Sequence, residues 1–196
     1  KVFAIDTRGS TGDGKEPAFR STFPVDFALQ KIKNSGTNWT AKTRLLGKKD
    51  LNPNTSSAEQ GANNNLFDYM NGHFAKTNTD ANEVGWMWKR APSYFDVVHY
   101  NTSSYPISVP HSLTVTPEMI WYKDREHGSS WAVWHKDVTG YLYLNADNAV
   151  NTYTGLFGTP TATVVIFDNL ETNNNCVAYL FATLAGISKV GNFSLS

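Results

Sequence analysis

The chain has 196 residues, a formal net charge of zero and a pI near 7.1, and 40% of its residues are hydrophobic. This length allows one large domain or two small ones, and the hydrophobic share is too high for a disordered chain. Zero net charge creates no global field to attract nucleic acid, and no apolar run approaches the roughly 20 residues of a membrane helix, so we expect neither nucleic-acid binding nor membrane insertion.

Short β-branched and aromatic runs, separated by Asn-, Gly-, Ser- and Thr-rich turns, follow one another along the chain. Such a pattern predicts many short strands and an all-β sandwich. The one helical turn that we expect lies in SSAEQGANNN, residues 56–65. The predicted strands are VFAID (2–6), FALQKIK (27–33), MIWYK (119–123), WAVWH (131–135), YLYLN (141–145), ATVVIFD (162–168) and CVAYLFATL (176–184).

The two halves of the sequence share a skeleton. At an offset of 92, Gly36 and Trp39 meet Gly128 and Trp131. Residues 51–58 meet 142–149 at an offset of 91, and residues 82–88 meet 175–181 at an offset of 93. Three separated blocks at nearly one spacing indicate an internal duplication. We therefore predict two tandem antiparallel β-sandwich modules of a lectin-like or jelly-roll-like kind.

The predicted modules span residues 1–93 and 94–186. FDVVHYNTSS (95–104) and ISKVGNFSLS (187–196) follow the last strand of each module at the same distance, so we expect 187–196 to begin a further unit or to pair between subunits. The sequence also has no initiator methionine and no signal peptide, so we expect it to be a segment of a longer polypeptide.

Several of these motifs occur together in one kind of protein. TPEMIWYK, HGSSWAVWHK, YLYLNADNAV and CVAYLFATLAGISKVGNFS, with NWTAKTRLLG and LNPNTSSAE in the first half, resemble repeat modules of tail-fibre-like virion proteins from tailed bacteriophages. The first half departs from the pattern at Trp86, Trp88 and Lys89-Arg90. The resemblance implies a β-sandwich akin to lectin or laminin-G-like folds and a place on the virion, at its exterior surface or tail.

Catalytic residues are not indicated by the sequence. His111 and Ser112 are adjacent and would point to opposite faces of a strand, so the histidine could not activate the serine. No Gly-x-Ser-x-Gly motif is present. Cys176 lies in an apolar run typical of an inert core thiol. We expect no catalytic residue and no enzyme.

Oxygen-rich loops raise the question of calcium. NTDANE (78–83), NADN (145–148) and DNLETNNN (168–175) offer suitable ligands, but they lack the order of an EF-hand loop, and Asn and Asp are ordinary turn residues. The five histidines also lack metal-binding spacing. We expect no cofactor, and calcium is the alternative that these loops leave open.

A ligand site is predicted where the halves differ. Tyr122, Trp134 and Tyr143 replace Gln30, Lys42 and Asn52 of the first half. Because that strand face is polar in the first half, we expect it to point outward and the three aromatic side chains to form a stacking platform for a sugar or another subunit. Burial of this face by the first unit or a neighbour is the alternative.

The function predicted from these observations is structural. We expect a component of a bacteriophage virion, a tail fibre or surface appendage that assembles with other virion subunits, as a homo-oligomer, and binds host-surface glycans. A capsid-decorating (cement) protein is an alternative, and a polysaccharide-degrading enzyme ranks below both.

Overall fold

The structure is a computed structural model that describes residues 1–8, 17–61, 67–74, 82–168 and 173–192. The chain divides into two compact units, Lys1–Arg90 and Ala91–Ser196. The described residues form β-strands and one 3-10 turn, Arg44–Leu46, so the predicted all-β class is confirmed. No helix in this part of the chain is long and apolar enough to span a membrane.

Unit 1 contains two antiparallel sheets. A six-stranded sheet has the order β1-β8-β3-β4-β5-β6, and a ribbon pairs β2 with β7. The strands are β1 (Phe3–Thr7), β2 (Phe19–Arg20), β3 (Phe27–Ile32), β4 (Thr40–Thr43), β5 (Lys49–Leu51), β6 (Gln60–Gly61), β7 (Gly72–His73) and β8 (Glu83–Trp88).

Unit 2 is built in the same way. A five-stranded antiparallel sheet has the order β9-β15-β11-β12-β13, and a ribbon pairs β10 with β14. The strands are β9 (Phe95–Asn101), β10 (Ile107–Pro110), β11 (Met119–Asp124), β12 (Ala132–His135), β13 (Leu142–Tyr143), β14 (Val164–Phe167) and β15 (Asn175–Phe181).

The registers of the two large sheets also correspond. Phe27 pairs with Trp88 and Thr43 in unit 1, and Met119 pairs with Phe181 and His135 in unit 2. The offsets between these partners, 92 and 93 residues, are those found in the sequence. The order β1-β8-β3-β4-β5 of unit 1 is therefore that of β9-β15-β11-β12-β13 in unit 2.

In each unit, one face of the large sheet packs beneath the two-stranded ribbon and forms the core. In unit 2, Ile120, Tyr122 and Ala178 pack against Val165 and Phe167 of β14. In unit 1, Ala4, Ala28 and Met87 join a cluster of phenylalanines that includes Phe19 of β2. Alternate residues of a strand point to opposite faces, so this inner face takes every second residue.

The prediction that this face points outward is wrong. Lys42 is only 6% exposed and its Nζ lies 4.1 Å from the centre of the Phe74 ring, while Gln30 is buried and its amide lies 3.1 Å from His73 Nε2. The polar residues of unit 1 find their partners inside the unit. The polar character of these side chains therefore did not predict which face of the sheet is exposed to solvent.

Two other predictions concern irregular segments. The helical turn at 56–65 is wrong for its described part, because Gln60–Gly61 pairs with β5 as a strand, and residues 62–65 lie outside the described residues. Near the C-terminus, Ser188 Oγ donates to the carbonyl of Ala182, and Leu184 bridges Ser188. Residues 193–196 are not described, and a further unit starting at 187 stays a prediction.

Candidate functional site

The structure brings two of the three predicted site residues together. In the inner face of unit 2, Tyr122 of β11 lies opposite Ala132 of β12, which lies opposite Tyr143 of β13. Trp134 pairs instead with Ile120, one row along the sheet. Because a small alanine separates two tyrosines, space remains above it, and this space is a cavity of about 440 Å³.

The tyrosine-lined cavity, as we call it, has one aromatic and one polar side. Tyr122, Tyr141 and Tyr143 line it together with Ala132. Asp124 at the end of β11 also lines it, and the turn that follows contributes His127, Gly128, Ser129 and Ser130. Its volume lies in the range of small-molecule sites, which is about 300–1,000 Å³. Tyr122 itself is only 6% exposed, so it forms the floor of the cavity and not an open platform.

Hydrogen bonds fix the tyrosine wall. The hydroxyls of Tyr141 and Tyr143 are 3.2 Å apart, and Asn151 Nδ2 donates to both at 2.9 and 3.3 Å. The two rings meet edge to face, with centroids 5.3 Å apart. Burial and, to a smaller extent, the hydrogen bond to Tyr143 raise the pKa of Tyr141 to about 12. Its hydroxyl is therefore neutral at physiological pH.

A backbone constraint holds Asn151 in place. Tyr141 and Asn151 form an antiparallel bridge, and the preceding Gly140 has a φ of +99°. A Cβ at Gly140 would lie 2.0 Å from the carbonyl oxygen of Asn151. Only glycine permits both this conformation and this close approach.

On the polar side, a buried carboxylate orients a histidine. Asp124 Oδ1 accepts from the backbone N–H groups of Glu126 and His127 at 2.8 and 3.3 Å, and Oδ2 accepts from Asn174 Nδ2 at 2.9 Å and His127 Nδ1 at 3.0 Å. Since Nδ1 donates to the carboxylate, the neutral ring has its lone pair on Nε2. The His127 side chain is 56% exposed, so this acceptor is accessible to a ligand.

A buried lysine holds the turn that carries these polar groups. Lys123 Nζ donates to the carbonyls of Asp124 and His127 at 2.6 and 2.9 Å and to Ser129 Oγ at 3.3 Å. Burial lowers the pKa of Lys123 to about 8, and the amine is still largely protonated at neutral pH. The Lys123 ammonium therefore stabilises the turn through these three hydrogen bonds.

The third predicted residue, Trp134, lines a separate depression. This depression has a volume of about 190 Å³, and its wall also includes Thr139, Tyr153, Thr154 and Phe157. Trp134 is partly buried against the core of unit 2, whereas Tyr153 is 47% exposed. The predicted three-residue platform is thus divided between two concavities.

The other sequence candidates do not assemble into a site in the described residues. No group of three or more His, Cys, Asp or Glu that could hold a metal ion occurs among them. Of the loops considered for calcium, residues 78–81 and 169–172 lie outside the described residues, so calcium stays an untested alternative. Burial raises the pKa of Cys176 to about 11, so at neutral pH it is a thiol beside the Tyr122 hydroxyl.

Sequence reasoning missed Tyr141, Asp124 and His127. The Asp-x-x-His spacing in a turn was the available signal for the last two, because a carboxylate at the start of a turn often accepts from the following N–H groups. The signal for Tyr141 was its alternation with Tyr143 in YLYLN, which places both side chains on one face.

Comparison with known proteins identifies a family. A family model described as a domain of unknown function (DUF7483) matches residues 6–195, nearly the whole chain. No curated protein and no solved structure matches the chain. With a match that spans both units, the chain belongs to the DUF7483 family.

Proposed function

We propose that this chain is a non-enzymatic structural protein of a bacteriophage virion, part of a tail fibre or similar surface appendage, and that its second unit binds host-surface glycans. The phage setting rests on the resemblance of its sequence motifs to tail-fibre-like repeat modules. The glycan role rests on one observation, the tyrosine-lined cavity of about 440 Å³.

The walls of this cavity suit a neutral sugar. A sugar ring has an apolar C–H face, which packs against aromatic rings, and hydroxyls at its edge, which exchange hydrogen bonds. Tyr141 and Tyr143 supply the rings above the floor that Tyr122 forms, and His127, Ser129 and Ser130 supply polar groups. The Asp124 carboxylate already accepts four hydrogen bonds from its own chain, so it has no acceptor position left for a ligand hydroxyl.

Binding fits these groups better than catalysis. A general acid or base must exchange its proton with the ligand, but the Asp124 oxygens are occupied by donors from its own chain. The Lys123 amine is likewise held by two carbonyls and Ser129 Oγ. Both groups therefore hold the turn instead of facing a ligand.

We also propose that the units are jelly-roll-like sandwiches descended from one duplicated module. Hydrogen bonds recur at the sequence offsets. Lys31 Nζ donates to the carbonyls of Ser35 and Thr37, as Lys123 does to that of His127, the counterpart of Ser35. These bonds close the same turn in both units.

Two further correspondences support the duplication. The N–H of Trp39 donates to Asn54 Oδ1 at 2.9 Å, and that of Trp131 donates to Asn145 Oδ1 at 2.8 Å. Trp39 also packs on the Trp86 ring, as Trp131 packs on Tyr179 at the equivalent position of β15. Unit 1 has Gln30 and Asn52 in place of Tyr122 and Tyr143, so the proposed ligand site is particular to unit 2.

The place of the protein in a particle is tested by labelling. Purified phage particles that encode the chain should contain its peptides, and gold-labelled antibody should bind the tail appendages. Label on the capsid instead would support the capsid-decorating alternative. Absence of the chain from the particles would overturn the virion proposal, and light scattering of the purified protein tests whether it forms a homo-oligomer.

The glycan role is tested with soluble sugars and a pair of matched variants. Glucose, galactose, N-acetylglucosamine, maltotetraose, cellotetraose and chitotetraose would be tested by saturation-transfer NMR. Ala132→Val adds two methyl groups at the floor of the cavity, and Thr40→Val changes the equivalent position of unit 1, which pairs with Gln30 as Ala132 pairs with Tyr122.

We expect saturation transfer to at least one of these sugars, lost in Ala132→Val and kept in Thr40→Val. Thr40→Val should unfold at about the wild-type temperature, because valine suits a β-strand, and the buried Ala132→Val should lose no more than about 1–3 kcal/mol in the free energy of unfolding, the cost of a larger side chain in a packed core. No transfer to any of the six sugars, or transfer that is kept in Ala132→Val, would overturn the glycan site.

A further inference from the structure

The depression beside Trp134 lies directly next to the tyrosine-lined cavity along the chain. Tyr141 and Leu156 line the cavity, while their chain neighbours Gly140 and Phe157 line the depression. Two pairs of adjacent residues are thus divided between the concavities, and the Cα atoms within each pair are about 3.8 Å apart. The rings of Tyr141 and Phe157 meet at this division, with centroids 6.5 Å apart.

The depression has the same two kinds of wall as the cavity. Trp134 and Tyr153 provide aromatic rings, and Thr139 and Thr154 are residues with hydroxyl groups. The Tyr153 ring lies against Gly155, where an added Cβ would be 2.5 Å from the tyrosine hydroxyl. Glycine at 155 therefore lets the ring lie close to the backbone at this position.

We propose that the depression is a second sugar subsite and that the ligand is a linear neutral oligosaccharide with one unit in each concavity. This inference rests on the proposed glycan function. Trp134 acts here as a specificity residue for chain length, because a single sugar in the tyrosine-lined cavity does not reach it.

The test compares single sugars with their tetramers. Affinities of the full chain would be measured by calorimetry for the pairs N-acetylglucosamine and chitotetraose, glucose and maltotetraose, and glucose and cellotetraose. The variants are Trp134→Ala and Tyr153→Ala. Because Trp134 is partly buried and its removal could disturb folding, Tyr153→Ala provides an independent probe of the same depression. Trp86→Ala, which removes a 37% exposed aromatic ring from unit 1, is the control.

For at least one pair, we expect the tetramer to bind the wild type more tightly than the single sugar. Each of the two variants should weaken tetramer binding by about tenfold, the effect of one lost aromatic contact, and leave single-sugar binding unchanged. Trp86→Ala should change neither.

Two results would overturn the second subsite while leaving the glycan function intact. One is equal affinity for single sugars and tetramers in the wild type. The other is unchanged tetramer affinity in both Trp134→Ala and Tyr153→Ala while Ala132→Val abolishes binding. No binding of any sugar would overturn the glycan function itself, and the subsite with it.

Discussion

Replacing Lys123 by methionine should lower the free energy of unfolding of unit 2 and also weaken ligand binding in the tyrosine-lined cavity. The change keeps an unbranched apolar side chain that is one atom shorter and removes the donors, so the carbonyls of Asp124 and His127 lose their partner. An unsatisfied buried acceptor costs about 1–3 kcal/mol. Water can reach the turn beside the exposed His127, so we expect a total loss of about 2–4 kcal/mol in the free energy of unfolding.

The equivalent change in unit 1 provides the comparison. Lys31 donates to two carbonyls in the same way, but it is only half-buried, so water can replace it and Lys31→Met should cost about 1 kcal/mol. Lys136→Met, which removes an exposed ion pair with Glu118, should cost less than about 1 kcal/mol.

Urea unfolding at pH 7, followed by tryptophan fluorescence and circular dichroism, measures all three variants. Calorimetry with the sugar that binds best should also show weaker binding for Lys123→Met, because the turn forms the polar side of the cavity. The role of the buried ammonium would be refuted by either of two results. One is a free energy of unfolding of Lys123→Met within about 0.5 kcal/mol of the wild type, and the other is a larger loss of this free energy in Lys31→Met than in Lys123→Met.

Three further changes have defined outcomes. Burial, together with Lys42 and Arg8, keeps the pKa of His73 well below its usual 6.5, so below that pH the unfolded chain binds the extra proton and stability should fall by about 1.4 kcal/mol per pH unit. Urea unfolding at pH 7.0 and 5.5 checks this, and a fall of the same size in His73→Phe would contradict it. Gly140→Ala should destabilise unit 2 by at least about 2 kcal/mol, because its φ is +99°, and a melting temperature equal to the wild type would exclude the constraint. Trp131→Ala should cost about 3–5 kcal/mol and the half-buried Trp39→Ala about 1–2 kcal/mol, so equal losses in thermal unfolding would contradict the difference in burial.

The sequence was a good guide to the strands of the large sheets. Runs such as MIWYK and WAVWH became β11 and β12, because β-branched and aromatic side chains pack well on a pleated sheet. The strands β2 and β7 have only two residues each, and that is too short for an alternating pattern to appear. They form because the phenylalanines around them cover the inner face of the sheet, which is a tertiary effect.

The site was only partly predictable for a related reason. Comparison of the halves singled out Tyr122 and Tyr143, which line one cavity, but the direction of the face was inferred from the polar strand face of the first half, Thr40, Lys42 and Arg44. Lys42 is buried against the Phe74 ring, and nothing local to its strand reveals that partner. Trp134 lies apart from the two tyrosines because of the strand register. Its position in the sheet is fixed only when β12 pairs with β11, where Trp134 lies opposite Ile120.

The most direct test of the proposed glycan site is the affinity of the best-binding sugar for the wild type, Ala132→Val and Thr40→Val, measured by calorimetry at pH 7. If the tyrosine-lined cavity is the site, Ala132→Val should lose at least about tenfold in affinity, because its methyl groups occupy the floor between Tyr122 and Tyr143, while Thr40→Val binds like the wild type. Equal affinity of all three proteins would contradict the assignment, since the ligand would then bind somewhere else on the molecule.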